Sequence, residues 1–365
     1  MISPLQASFP ACLCGFVVAK NLFPAKFLYR MKVSINQVKL NRVGLNTAQV
    51  RGIRLSSAVA DSGHKVDFPF SDSLVDCWNF GGKNNFDIDR ATVTGLLGNV
   101  LTAYDFEWKL MSGYGGYNEN YLTYSKAANV FVTNDHSITI MNFVQPNVYT
   151  VYKSNINHIK ATRIKVTGLT ATDQLAYYYS PKGEMMAIFP IPEDGEYDLP
   201  ESFQSISGIN VYNVGFIVRK ALTKNVTIKQ IPLYEGAIVT DGVNDYLKLD
   251  KTGYKVGTVI FKHTPIKTGD SVRYVFNINT TSVYACYRID STFANNFNRY
   301  KTIEDYTVGF ITTPRLAETP LIIGCHSSLK EFLSMALYSI AIYDRALSDQ
   351  EVQEVINFMD KANKL

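Results

Sequence analysis

The chain has 365 residues, 46% of them hydrophobic, and a formal net charge of +4 from 36 Lys and Arg against 32 Asp and Glu. That length leaves room for two or three domains with buried cores. The charge is too mild and too evenly spread to point to nucleic acid or an anionic membrane surface.

Aromatic residues make up 13%, with 23 Tyr and 21 Phe. These side chains favour pleated, half-buried surfaces, so composition leans toward β structure. The first apolar stretch, "ACLCGFVVA" at 11–19, is too short to span a bilayer. No basic residue precedes it, which departs from a signal-peptide pattern, and Met31 offers a second start. Residues 31–66 are polar and aperiodic. We read 1–66 as an N-terminal arm that orders by docking on something else. No other segment approaches about 18 uninterrupted apolar residues, so no membrane span is expected. Cys12, Cys14, Cys77, Cys286 and Cys325 are odd in number and irregular in spacing. Partly buried free thiols fit them better than a zinc site or a disulfide framework.

From residue 67 the texture changes. "SLVDCWNFGG" is a strand-like run from Leu74 to Phe80, broken by Gly81-Gly82. "SGYGGYNENYLTY" at 112–124 is rich in glycine and tyrosine. Residues 135–232 then read as strands: "TRIKVTGLT", "NVGFIVRK" and "NVTIKQI" alternate, separated by "SPKGE", "PEDGEYDLPES" and "LTKN". Short alternating strands with regular turn signals indicate an antiparallel sandwich. The habit continues from 233 onward. In "SVRYVFNIN", period two sets Val272, Tyr274, Phe276 and Ile278 on one face. Near the end, "LSDQEVQEVINFMDK" predicts a helix. Ser348 and Glu351 form a capping box, and Val352, Val355, Ile356 and Met359 form an apolar stripe.

"AIVTDGVNDYLKLD" at 237–250 resembles the "FDGVDDYV" phrase of concanavalin A-like lectin/glucanase modules of the laminin G-like type. "MALYSIAIYDRALSDQEVQEV" resembles the closing segment of that family, with Leu347 as a plug and Asp344 and Arg345 at the corner. Residues 73–99 resemble its opening phrase more loosely, through Leu74, Val75, Trp78, Phe80, Gly81, Gly98 and Asn99. In ordinary members the opening phrase and the "DGVDDY" phrase lie close together along the chain, whereas residues 100–239 separate them here. The resemblance covers about half the chain. It implies an all-β protein: a concanavalin A-like jelly-roll sandwich from 67–129 plus 233–365, split by an inserted β-sandwich at 130–232, with one short C-terminal helix.

Glucanases of this fold carry Glu-x-Asp-x-Glu on one strand, so that alternate carboxylates face the cleft. The nearest run here, Glu193, Asp194, Glu196 and Asp198, is broken by Gly195 into a turn. No HExxH, GxSxG, GxGxxG or Walker pattern occurs. We therefore expect no catalytic residues. The resemblance implies Ca²⁺ as a metal, with Asp241, Asn244 and Asp245 as donors and Asp87 and Asp89 as further ones. Plain turn chemistry accounts for the same residues with fewer assumptions. Tyr114, Tyr117 and Tyr121 are candidates to stack on a sugar, with Asn118 bonding hydroxyls. The competing reading packs these tyrosines between two domains.

The function expected is a non-catalytic surface or virion structural or adhesion protein, extracellular or on a cell or virion surface. Its ligand would be a glycan or a surface protein, and its neighbours other subunits of an assembly. The alternative is a glycoside hydrolase of the concanavalin A-like glucanase type.

Overall fold

The computed structural model describes residues 68–362, apart from 129, 142–145, 155–157, 173, 204–212, 268–273, 281–282, 289–298, 304 and 327. The N-terminal arm at 1–66, with Cys12, Cys14 and His64, lies outside the described residues. These are mostly antiparallel strand, with one α-helix at the C-terminal end. None of the described helices is long and apolar enough to cross a membrane.

Two sheets draw on both ends of this span. In the first, Ser334–Tyr343 pairs on one side with Lys255–Lys267 and on the other with Leu74–Asn79 and Ile238–Asp241. Tyr306–Leu316 and Arg299–Ile303 extend it outward. The second sheet runs Thr92–Thr94, Val100–Tyr104, Tyr246–Leu249, Leu321–Ile323, Tyr274–Thr280 and Val283–Arg288. Between them lies one core, in which Trp78, Phe80, Phe261, Ile340 and Ile342 meet Val93, Leu101, Leu247, Phe276 and Ile323. The first sheet is buried on its other face as well. There Ile260, Ala341 and Tyr343 pack against Val352, Val355, Ile356 and Met359 of the helix Asp349–Ala362, with Leu347 beside them. Burial on both faces explains why "SMALYSIAIY" reads as a nearly unbroken apolar run rather than alternating.

The strands between residues 125 and 230 pair only with one another. One sheet runs Gly195–Leu199, Thr162–Thr167, Val226–Gln230, Ser137–Ile140 and Val130–Asn134. The other runs Ala187–Ile191, Leu175–Tyr179, Val214–Val218, Val148–Lys153 and Ser125–Lys126. Their core joins Ile138, Ile164, Val166, Val226 and Ile228 to Val151, Leu175, Tyr177, Val214 and Phe216. Tyr121, Tyr124 and Ser125–Lys126 keep company with these inner strands. The change of sheet along the chain thus falls before residue 121, ahead of the 129/130 division read from the sequence.

Two strands depart from the alternation expected of them. A bulge between Tyr274 and Phe276 breaks the period, and Val275, Phe276 and Asn277 are all buried. Residues 272 and 273 lie outside the described residues. In Val214–Val218 all five positions are buried, so this strand is covered on both faces.

Candidate functional site

The loop from Ser112 to Tyr124 carries the proposed sugar residues. Gly113–Tyr114 pairs with Ile238 and Val239. Tyr114 is 3% exposed in the flanking core, and its hydroxyl donates to the Arg90 carbonyl at 2.9 Å. Tyr117 is 9% exposed and stacks on His136, centroids 4.2 Å apart and planes within 3°. Burial, with the Asp135 and Glu235 carboxylates adding to it, pushes the Tyr117 phenol up to about 12. Tyr121 is 2% exposed and belongs to the inner core. Asn118 Nδ2 donates to the Ala161 carbonyl at 2.5 Å. The three rings face protein rather than solvent, one in each core and one at the junction. That is the packing role set beside the sugar reading in the sequence.

Polar links that no motif announces hold this loop. Gln230 Nε2 donates to the Glu119 carbonyl at 2.5 Å, and Gln230 Oε1 accepts from the Glu119 amide at 3.2 Å. The Glu119 carboxylate accepts from Lys153 Nζ at 3.0 Å and from the Tyr124 hydroxyl at 3.3 Å. Asp135 Oδ1 lies 2.9 Å from His136 Nδ1, and both residues are buried. One signal for them exists in the sequence: Gln230 occupies the inward parity set by Val226 and Ile228, where a polar side chain must find a partner.

Asp241 Oδ1 accepts from the amides of Val243 at 2.7 Å, Asn244 at 3.3 Å and Asp245 at 3.5 Å, which is an Asx turn. Gly242 takes φ 78°, the left-handed conformation the Asp-Gly pair predicts. Asp245 is fully buried beneath the turn, with Oδ2 accepting the Asp241 amide at 3.0 Å. Burial raises its carboxyl to about 7, while the Ser112 hydroxyl and the Asp241 amide pull it down and the charges of Asp241 and Glu107 raise it further. Asn244 is exposed. Asp241 Oδ1 is engaged by amides, while Asp245 Oδ1, sealed beneath the turn, has no hydrogen-bond partner. Asp87 accepts from Asn84, and Asp89 is bridged by Lys83 at 2.9 Å. Among the described residues, no group of three His, Cys, Asp or Glu side chains could hold a metal ion.

A second carboxylate clamp lies in the opening segment. Asp76 is fully buried, and its two oxygens accept from the amides of Cys77, Leu97 and Asn99 and from Asn99 Nδ2, at 2.8–2.9 Å. It ties the opening strand to the turn that follows Thr92–Thr94. A Cβ at Gly95 would collide with this carboxyl, which gives that glycine its reason.

The run Glu193 to Asp198 is a turn only at its start: Gly195–Leu199 is a strand paired with Thr162–Thr167, and Glu196 and Asp198 are both exposed on it, which corrects the turn read from Gly195. Asp194 accepts from the amides of Gly168 and Leu169, and Arg163 bridges Glu196 and Asp198. Cys77 and Cys325 are free thiols, and burial pushes Cys325 up to about 12 and Cys77 higher still. No protein-family model matches the chain, and no curated protein sequence matches it.

Proposed function

We propose that the chain is a non-catalytic surface or virion protein. In this reading it is one lectin-like sandwich, of the laminin G-like type its end phrases resemble, interrupted by a second sandwich. Its role is to bind a glycan or a partner protein, outside the cell or within an assembly. The observation that carries the non-catalytic part is the engagement of the buried carboxylates. Asp76, Glu119, Asp135 and Asp245 are the buried acids of the described residues, and each contacts protein amides or fixed side chains. A glycosidase needs two carboxyls facing one solvent-filled cleft. Asp245, whose carboxyl burial raises to about 7, has no exposed surface from which to protonate a substrate.

A glycan-array screen of the purified chain, followed by incubation of the bound polysaccharide, tests this reading. The expected result is binding with the ligand recovered uncut. New reducing ends would establish the glycoside hydrolase instead.

A further inference from the structure

The sheet that ends in Ala187–Ile191 and Ser125–Lys126 turns one face to the inner core, through Leu175, Tyr177, Val151 and Phe216. Its other face carries three tyrosines, two of them linked through the third. Cross-strand pairing sets Ile188, Tyr178, Gly215, Tyr152 and Ser125 in one row across this face. The adjoining row is Pro190, Ala176, Ile217 and Tyr149. Position 215 is glycine, where a Cβ would collide with the Val151 carbonyl and Tyr152 Cα, so no side chain stands in the row between Tyr178 and Tyr152. The Tyr149 ring stands between them, 5.5 Å from Tyr152 and 5.9 Å from Tyr178. Its hydroxyl donates to Met186 Sδ at 3.3 Å. Ala176 and Ile217 beneath are buried, while the three tyrosines remain partly exposed.

We propose that Tyr149, Tyr152 and Tyr178 form a binding site for a neutral, pyranose-based glycan. The proposal rests on the glycan reading above and gives it a location away from the buried Tyr114, Tyr117 and Tyr121. Three features select this occupant. First, neither row contains a charged side chain, so the face matches an uncharged ligand better than an anionic or cationic one. Second, the rings supply apolar faces next to phenolic hydroxyls. This is the mix of apolar wall and few polar groups that fixes a ligand rich in CH and OH. Third, the patch is small. Three partly exposed tyrosines present an area far short of the roughly 800 Å² per partner of a stable protein interface. Desolvation, and Tyr178 next to it, hold the Tyr149 phenol above its ordinary value, in keeping with a ring set into a shared platform.

The test is affinity electrophoresis of the full chain in gels containing soluble galactomannan, mixed-linkage β-glucan or xylan. Tyr152→Thr and Tyr178→Thr keep strand preference while removing the rings. Tyr246→Ala serves as a control, because Tyr246 stacks on Tyr104 at 5.0 Å in the flanking sandwich. The expected outcome is retardation of the unmodified chain, a roughly tenfold loss of affinity in each Thr variant, and no change in the control. In a parallel measurement on the unmodified chain, the polysaccharide should protect Tyr149, Tyr152 and Tyr178 from nitration, so the answer does not hinge on the variants folding. Retardation that survives both Thr variants, or that only Tyr246→Ala removes, overturns this site and leaves the glycan reading standing. No retardation in any of the three gels overturns both. Concentration-dependent sedimentation lost in the Thr variants would make the face a contact between copies of the chain, and would also overturn the site.

Discussion

In the flanking sheets, Leu74–Asn79 pairs with Ser334–Tyr343, so that Trp78 lies opposite Ile340. In the inner sheets, every pairing falls between residues 125 and 230. The two regions therefore close similar sandwiches at different entropic cost, since bringing distant segments together is dearer than pairing near ones. Their fastenings differ accordingly. The flanking region anchors its distant ends: Asp76 clamps the opening turn, the Tyr343 hydroxyl donates to the Pro69 carbonyl at 3.0 Å, and the helix covers the outer face. The inner region puts hydroxyls into its core instead, with Tyr121, Tyr124 and Tyr177 buried around the Glu119 carboxylate and its Lys153 partner. Burial holds all three phenols above their ordinary range, so they stay protonated. Asp245 completes the contrast. It is a buried carboxylate of the flanking region that faces Asp241 and Glu107 rather than a cation.

The largest expected effect comes from Trp78, fully buried in the flanking core. Trp78→Ala should cost about 3–5 kcal/mol through lost transfer energy and a cavity. If the two regions melt separately, calorimetry will show one transition moving down while the inner one holds its temperature. A single transition displaced as a whole would show that Tyr117 on His136 and Gln230 on Glu119 couple the regions into one cooperative unit.

The next effect is a pH dependence confined to the flanking region. The Asp245 carboxyl sits at about 7 in the folded chain against an ordinary 3.8, so the native state holds its proton more tightly than the unfolded state does. Its contribution is fully present below about pH 4 and is lost as pH rises through about 7. The loss should be on the order of 3 kcal/mol, because a tenfold difference in proton affinity is worth about 1.4 kcal/mol and some relaxation offsets the total. Asp245→Asn cannot titrate and should flatten that slope in denaturant titrations between pH 4 and 7. An unchanged slope would move the titration to another group. A smaller effect, about 2 kcal/mol, is expected for Asp76→Ala. It leaves the Leu97 and Asn99 amides without an acceptor, while relief of a buried charge offsets part of the cost.

How much of the molecule is legible in the sequence depends on the kind of information each feature needs. The β character, the C-terminal helix with its stripe, and the alternation of Thr162–Thr167 follow from local periodicity, and all appear in the structure. The Asp-Gly turn is legible because one residue pair sets its geometry. The bulge at Tyr274–Phe276 is not, since register is settled by the partner strand Val283–Arg288 rather than by the strand itself. Asp76 carries no local signal, because its Leu97 and Asn99 donors lie some twenty residues along the chain. The tyrosines of 112–124 are ambiguous for a physical reason. A ring that stacks on a sugar and a ring that fills a seam have the same composition, and only burial separates them. Tyr149, Tyr152 and Tyr178 carry no local signal because they converge from two strands that are not neighbours and only meet across Val214–Val218.

The smallest expected effect tests the anchor at the end of the chain. Ser348 and Glu351 satisfy each other reciprocally: the Glu351 amide donates to Ser348 Oγ at 3.3 Å, and the Ser348 amide donates to Glu351 Oε2 at 2.8 Å. Arg345 joins them with two contacts to the Glu351 carboxylate, at 2.7 and 3.1 Å. These contacts, with the Ser348 amide, hold the Glu351 carboxyl down at about 2. Ser348→Ala removes only the hydroxyl, so the Glu351 amide loses its acceptor while the Arg345 contacts persist. The cost should be about 1 kcal/mol, the usual value of a lost N-cap. It should fall wholly on the flanking transition, because the helix stripe packs on Ile260, Ala341 and Tyr343 and on nothing between residues 125 and 230. Glu351→Gln should cost less, and its effect should weaken with added salt, because the Gln oxygen can still accept from the Ser348 amide and only the partly exposed ion pair with Arg345 is lost. Equal displacement of an inner transition by either variant would mean that the helix steadies the whole chain. No displacement by Ser348→Ala would mean that Arg345 and Glu351 alone fix the corner.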